Sequence, residues 1–227
     1  DTYTASRNGT YKCKIRDYAG NITEKSITVL NIDHLEPVIQ GITASEEEWT
    51  KEDVTLTVLA EDAARTAEYG KSGLPPQAYL WGILDESGDI IWGYGGRGED
   101  DSKEEEGETE KERPGPAAEW TASHTFVVSG NGTYVCRVRD NAGNVTEAAY
   151  EVTNIDRLYP EAELVPSTDE WTNENITIKV IGDDREAEGC DGKSGLQEAG
   201  YAWGVLDESG DIVWFPAKEE TDREDEA

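Results

Sequence analysis

Apolar and polar residues alternate along short stretches of the chain, and residues typical of turns separate these stretches. From Val54 to Ala60 every second residue is apolar. A period of two is typical of a strand with one buried face, and no stretch has helical periodicity. The pattern predicts strands A, B, C, C′, E, F and G at residues 38–42, 54–60, 78–84, 89–92, 125–128, 133–139 and 145–153. Seven short strands without helices predict an all-β, antiparallel sandwich.

The chain also resembles itself at a fixed distance. Residues 8–11 (Asn-Gly-Thr-Tyr) recur at 131–134, an offset of 123, and residues 71–74 (Lys-Ser-Gly-Leu) recur at 193–196, an offset of 122. Such an internal repeat predicts tandem copies of one domain. We expect a first segment (1–33) with strands E, F and G, a complete middle segment (34–156) with an acidic insertion at 97–118, and a third segment (157–227) with strands A, B, C and C′.

The recurrent motifs resemble those of a known family. The motif N-G-T-Y is followed by R-D-x-A-G-N (16–21 and 139–144), N-I-D (31–33 and 154–156), W-T before strand B and S-G-L after it. This series is similar to the bacterial immunoglobulin-like repeats of Gram-positive cell-surface and secreted proteins. The resemblance implies a stalk or adhesion role outside the cell, neighbouring repeats as partners, and a host or cell-wall ligand, for which a glycan is one candidate. It supplies no catalytic residues.

Charge narrows the range of partners. The 227 residues include 50 Asp and Glu against 20 Lys and Arg, for a net charge of −30. Such a surface repels phosphate backbones and anionic lipid, so neither nucleic acid nor a membrane surface is expected as a partner. No apolar run is long enough to span a bilayer. The chain contains no methionine, which suggests a fragment of a longer protein.

Enzyme signals are weak in this sequence. Its two histidines, His34 and His124, fall in a linker and at the start of strand E. A hydrolytic triad needs a histidine beside a nucleophile and an orienting acid, and the strand order does not provide that arrangement. We therefore expect a non-catalytic protein with no required cofactor.

Calcium at the repeat junctions is a hypothesis that the strand order supports. In a sandwich threaded from A to G, the B–C loop, the F–G turn and the incoming linker share one end. Asp33, Asp62, Asp140 and Asn144 could converge there and offer the oxygen ligands that calcium prefers. The alternative is that these residues cap turns.

Tryptophans suggest a second function. Trp81 and Trp203 fall on strand C, where sandwiches of this kind place a core tryptophan. Trp92 and Trp214 end strand C′ and are candidates for stacking on sugar rings. A carbohydrate-binding accessory module of a secreted polysaccharide-degrading enzyme is thus the alternative to a stalk or adhesion module.

Tyr134 stands two residues before Cys136, and Tyr11 stands two before Cys13. This spacing predicts a tyrosine corner, in which the phenol hydroxyl bonds back to the E–F connection. Strand B has no cysteine, so the inter-sheet disulfide of antibody domains is excluded. Cys136 is expected to be a small buried apolar residue.

Overall fold

The computed structural model describes residues 1–63, 66, 68–93, 119–185, 192–198 and 200–215. Within these ranges the regular structure is entirely β, which confirms the all-β prediction. The strands are β1 Gly9–Arg16, β2 Ile22–Val29, β3 Val38–Ala44, β4 Val54–Glu61, β5 Tyr79–Leu84, β6 Ile90–Trp92, β7 Thr125–Val128, β8 Gly132–Arg139, β9 Val145–Val152, β10 Glu161–Pro166, β11 Ile178–Asp183, β12 Gly204–Leu206 and β13 Ile212–Trp214. No helix in the described part of the chain could cross a membrane. The acidic insertion at 97–118 lies outside the described residues.

The chain divides into two compact units, Asp1–Arg157 with Ala187–Gly192, and Leu158–Glu186 with Lys193–Ala227. In the first unit, β3, β4 and β7 form one antiparallel sheet, and β6, β5, β8 and β9 form another. Both sheets contribute to one core, in a β-sandwich-like arrangement. The alternation along each strand sends these residues inward: Val54, Leu56 and Val58 from β4, Trp81 from β5, and Tyr134, Cys136 and Val138 from β8. The ends of β3 to β9 lie within two residues of the predicted limits of strands A to G.

The flanking segments carry smaller sheets. β1 pairs only with β2, β10 with β11, and β12 with β13 among the described strands. Residues 1–8 form no strand, although the pattern predicts strand E there. In the middle segment the strand at this position, β7, is held by hydrogen bonds to β4. No described strand pairs with residues 1–8 in the way β4 pairs with β7, so a strand there would leave its backbone groups without ladder partners.

Turns of the same sequence have the same structure in the middle and third segments. The Asp85 carboxylate accepts hydrogen bonds from the backbone N–H of Ser87 (2.9 Å) and Asp89 (2.8 Å). Asp207 accepts the equivalent bonds, at 2.8 and 3.0 Å. Gly88 and Gly210 follow with φ of 85° and 87°, which a residue with a Cβ rarely adopts. The hairpin turn is thus specified locally by Asp-Glu-Ser-Gly-Asp.

The tyrosine corner is confirmed. The buried Tyr134 hydroxyl donates to the Gly130 carbonyl at 2.8 Å. In the first segment the Tyr11 hydroxyl donates to the Arg7 carbonyl at 2.6 Å, four residues back as in the middle segment, but this bond is exposed to solvent.

Candidate cation site

Three buried carboxylates meet at one end of the middle segment. Asp33 comes from the linker that enters β3, Asp62 directly follows β4, and Asp140 directly follows β8. One oxygen of each carboxylate lies within 4.8 Å of one oxygen of each of the others. Their exposed fractions are 8, 3 and 2 %. The group, which we call the aspartate cluster, therefore joins a linker, a B–C loop and an F–G turn.

Asp33 is held by the backbone on both sides of its carboxylate. Its Oδ1 accepts from the N–H of Leu35 at 3.1 Å, and its Oδ2 accepts from the N–H of Ser72 at 2.7 Å. Burial alone raises the pKa of this carboxyl, but the hydrogen bonds from Leu35 and Ser72 outweigh it, so the net pKa is below the ordinary value. Asp33 is therefore held as an anion.

Asp140 is oriented within its own turn. Its Oδ1 accepts from the backbone N–H of Asn144 at 2.8 Å, and its Oδ2 accepts from the Asn144 side-chain amide at 2.7 Å. The same amide donates to the Asp33 carbonyl at 3.2 Å. Asn144 thus lies at the site, as predicted, but it faces the cluster as a donor that ties the turn to the linker.

Asp62 is the member of the cluster with an unused oxygen. Its Oδ2 accepts a short hydrogen bond from the N–H of Gly73. Its Oδ1 is buried, and no hydrogen-bond partner is found for it among the described residues. Leaving a buried carboxylate oxygen without a partner costs free energy. The described part of the chain also places no Lys, Arg or His in an ion pair with the three aspartates.

The loop at 71–74 holds these groups in place, and sequence reasoning missed its role. Besides donating to Asp33 and Asp62, the loop receives Asn141, whose amide donates to the carbonyls of Ser72 and Gly73, each at 2.9 Å. Gly73 has φ of +83°, which favours glycine. The recurrence of Lys-Ser-Gly-Leu was the signal in the sequence. At its second occurrence the Gly195 N–H donates to buried Asp184 at 2.5 Å, as Gly73 does to Asp62.

The linker that carries Asp33 is itself fixed by a motif present twice. The Asn8 amide donates to the Ile32 carbonyl at 3.0 Å and its Oδ1 accepts from the Ile32 N–H at 2.9 Å. The Gly70 N–H also donates to the Ile32 carbonyl. Asn131, Ile155 and Gly192 make the same three bonds around the second Asn-Ile-Asp. In both places the asparagine of N-G-T-Y is therefore hydrogen-bonded to the backbone of the isoleucine of N-I-D.

The tryptophans divide differently from the prediction. Trp81 is 4 % exposed and stacks on Phe126 with centroids 5.2 Å apart, so its place in the core is confirmed. The prediction for Trp203 is wrong, since 40 % of it is exposed. Trp203 directly precedes β12, which pairs only with β13 among the described strands. Leu164 of β10 and Val180 of β11 line the same groove as the ring, but no counterpart of β8 pairs with β12 there, and the ring stays partly exposed.

The sugar-stacking candidates are also unlike each other. Trp92 is half-buried, and the Arg137 guanidinium lies 4.2 Å from its ring centroid, so an arginine covers one face. Trp214 is 61 % exposed. The two histidines are exposed: His34 packs edge-on against Tyr69 and His124 lies beside Tyr79.

Comparisons of the chain with protein-family models, with curated proteins and with solved structures each find no match.

Proposed function

We propose that the chain is a non-catalytic segment of an array of immunoglobulin-like repeats on a bacterial surface protein, where it acts as a stalk or adhesion module. In this proposal a divalent cation, calcium by preference, locks the linker to the domain that follows it. The observation that carries the proposal is the aspartate cluster, with the unpartnered Oδ1 of Asp62 among three buried carboxylates.

Electrostatics argues for a cation at this position. Negative charges a few ångströms apart in a poorly solvated place repel each other, and burial raises the cost of each. A bound cation of charge two would offset most of the repulsion and would give Asp62 Oδ1 a partner. Oxygens that already accept one N–H still have a second lone pair to offer, as at Asp33 and Asp140.

The donor set favours calcium over transition metals. Cys and His, the ligands that zinc and copper prefer, are absent from the aspartate cluster, which offers carboxylate oxygens alone. Calcium accepts six to eight oxygens in variable geometry, so water could complete its shell without further protein ligands.

The position of the aspartate cluster, between the linker and two loops, supports a role in fixing the linker to the domain that follows it. Asp33 belongs to the linker, and Asp62 and Asp140 belong to loops of the domain that follows. One ion contacting all three would cross-link segments that are distant in sequence. A linker held in this way transmits orientation from one repeat to the next, as an extended stalk requires.

The test is calcium binding by the full chain. At a free calcium concentration about a hundred times Kd, we expect the middle domain to gain about 2.7 kcal/mol over a chelated sample. Asp62→Asn keeps the shape and an acceptor for Gly73 but should abolish most of this gain. In chelator the same variant should be as stable as the parent chain or more stable, because a repelling charge is gone.

Asp169→Asn is the matched control, since Asp169 is an exposed carboxylate outside the cluster. Its calcium response should equal that of the parent chain. Thermal melts and isothermal titration calorimetry measure both quantities. A parent chain whose melting temperature is the same in millimolar calcium and in chelator would refute the proposal.

Binding of carbohydrate is the alternative function, and the exposed ring of Trp214 is the feature that favours it. A glycan array separates the two. Specific binding that Trp214→Ala removes would support an accessory module of a polysaccharide-degrading enzyme. An array on which the chain binds no glycan would favour the stalk or adhesion role.

A further inference from the structure

One loop of the middle segment makes contacts on two sides. Residues 68–74 lie between β4 and β5. On one side the N–H groups of Ser72 and Gly73 donate to Asp33 and Asp62 of the aspartate cluster. On the other side the same loop contacts the first segment, which belongs to the same compact unit. We call residues 68–74 the joint loop.

The contact with the first segment is made mainly by backbone groups. The Asn8 N–H donates to the Glu68 carbonyl at 2.7 Å, and the Gly70 N–H donates to the Ile32 carbonyl at 2.7 Å. Arg7 adds an ion pair with Glu68 at 2.9 Å, but both side chains are more than half exposed, so the pair contributes little. Asn8 directly precedes β1. The joint loop is therefore bonded to the turn that begins the sheet of the first segment.

Gly70 lets the two backbones approach each other closely. A Cβ at this position would lie 3.3 Å from the Leu30 carbonyl oxygen and 3.4 Å from both the Asn8 side-chain nitrogen and the Ile32 carbonyl oxygen. Two of these three atoms belong to the backbone and cannot rotate away, so a larger residue would push the joint loop off the first segment. The absence of a side chain at Gly70 is thus part of the contact.

The same contact is present at the far end of the middle segment. The Gly192 N–H donates to the Ile155 carbonyl at 2.7 Å, and a Cβ on this glycine would lie 3.0 Å from the Asn131 side-chain nitrogen. The ring of Trp49 also lies against Gly192, 2.7 Å from the position of that Cβ. A loop glycine seated on the asparagine and isoleucine of the preceding segment is therefore a repeated feature of the chain.

We infer that the joint loop couples the cation site, on whose proposed function this inference rests, to the contact between successive repeats. A bound cation strengthens the contact with the preceding repeat, and that contact strengthens cation binding. The two contacts use neighbouring residues, since Ile32 adjoins Asp33 in the linker and Gly70 stands two residues before Ser72. A shift of either backbone therefore disturbs both contacts. Such coupling is reciprocal, so the two effects are equal in free energy.

Calorimetry on the full chain tests one direction of the coupling. Asn8→Ala removes both side-chain hydrogen bonds to Ile32 and leaves every residue of the aspartate cluster unchanged. The calcium Kd of the cluster, taken from the heat that Asp62→Asn removes, should rise at least about fivefold. Gly70→Ala should also raise this Kd, because the added Cβ displaces the joint loop.

Asn131→Ala is the matched control. It removes the same two hydrogen bonds at Ile155, at the end of the middle segment away from the aspartate cluster. Its calcium Kd, measured in the same way, should equal that of the parent chain. A general loss of stability on removing such an asparagine would instead raise the Kd in both variants.

Hydrogen exchange tests the opposite direction. The Gly70 N–H, which bonds to the Ile32 carbonyl, should exchange at least about fivefold more slowly in saturating calcium than in chelator. In Asp62→Asn, calcium should leave the exchange of this N–H unchanged.

The outcomes separate the coupling from the cation site itself. A parent chain that binds calcium with the same Kd as Asn8→Ala and Gly70→Ala would overturn the coupling and leave the proposed function standing. Calcium binding that does not slow the exchange of the Gly70 N–H would do the same. A parent chain that binds no calcium would overturn both proposals.

Discussion

The middle segment and the two flanking segments have the same turn motifs but bury their apolar residues to different degrees. Tyr134 and Tyr11 make equivalent corner bonds, and Asp85 and Asp207 cap equivalent turns. Yet Trp81 is 4 % exposed and its counterpart Trp203 is 40 % exposed.

The comparison separates what short sequences determine from what packing determines. A turn such as Asp-Glu-Ser-Gly-Asp closes its hydrogen bonds within five residues, so it forms the same way in either setting. Burial of a strand face requires a second sheet, which comes from residues far away in the chain. Side chains of the same type should therefore contribute very different amounts to stability in the two settings, and paired substitutions measure the difference.

The largest difference is expected for the strand C tryptophans. Trp81→Ala should lower the free energy of unfolding of the middle segment by about 3–5 kcal/mol, because it leaves a cavity against Phe126. Trp203→Ala should change the same transition by less than about 0.5 kcal/mol. Denaturant melts of dilute full chain give both values. Equal losses would contradict the expectation that the difference in burial between the two rings sets their contributions.

A smaller difference is expected at the tyrosine corners. Tyr134→Phe removes a buried donor and leaves the Gly130 carbonyl without its partner, so it should cost about 1–2 kcal/mol. Tyr11→Phe should have no measurable cost, because water can replace the exposed hydroxyl at the Arg7 carbonyl. The same melts apply. A Tyr134→Phe value within error of zero would contradict the structural role of the corner.

Local and strongly periodic features could be predicted from the sequence. The seven strand ranges of the middle segment follow from alternation between turn residues, and the convergence of Asp33, Asp62 and Asp140 follows from the order of the strands. Strand order alone places loops at one end of a sandwich, which is enough to bring those carboxylates near each other.

Other features depend on contacts that the pattern does not contain. The exposure of Trp203 depends on the absence, among the described strands, of a second partner for β12 beside β13. The side-chain amide of Asn144 has both donor and acceptor groups. The residue type alone therefore could not predict that this amide would donate to Asp140 and Asp33 and not offer its oxygen to a cation. The backbone donors of Ser72 and Gly73 carry no side-chain signature at all. The cation itself, the stalk role and the family resemblance stay predictions.

The smallest expected effect concerns stability in acid, measured in chelator so that no cation is bound at the aspartate cluster. The ordinary pKa of an aspartate, 3.8, applies to Asp33 in the unfolded chain, and the hydrogen bonds from Leu35 and Ser72 place the folded-state pKa below it. The stabilisation by these bonds is therefore complete above pH 3.8. As pH falls below 3.8 toward the folded-state pKa, the unfolded chain takes up its proton first, and the free energy of unfolding declines. Asp33→Asn removes this proton uptake, so its stability should fall less steeply with pH in that window.

Asp169→Asn is the control for this measurement. Asp169 is exposed and belongs to the other compact unit. Its substitution should leave the slope for the unit that contains Asp33 unchanged. Chemical denaturation between about pH 2.5 and 5 measures the slope, which is proportional to the difference in bound protons between unfolded and folded chain. Equal slopes for Asp33→Asn and the parent chain would mean that Asp33 is not held as an anion by its backbone donors, and a cation at this junction would then have less negative charge to bind.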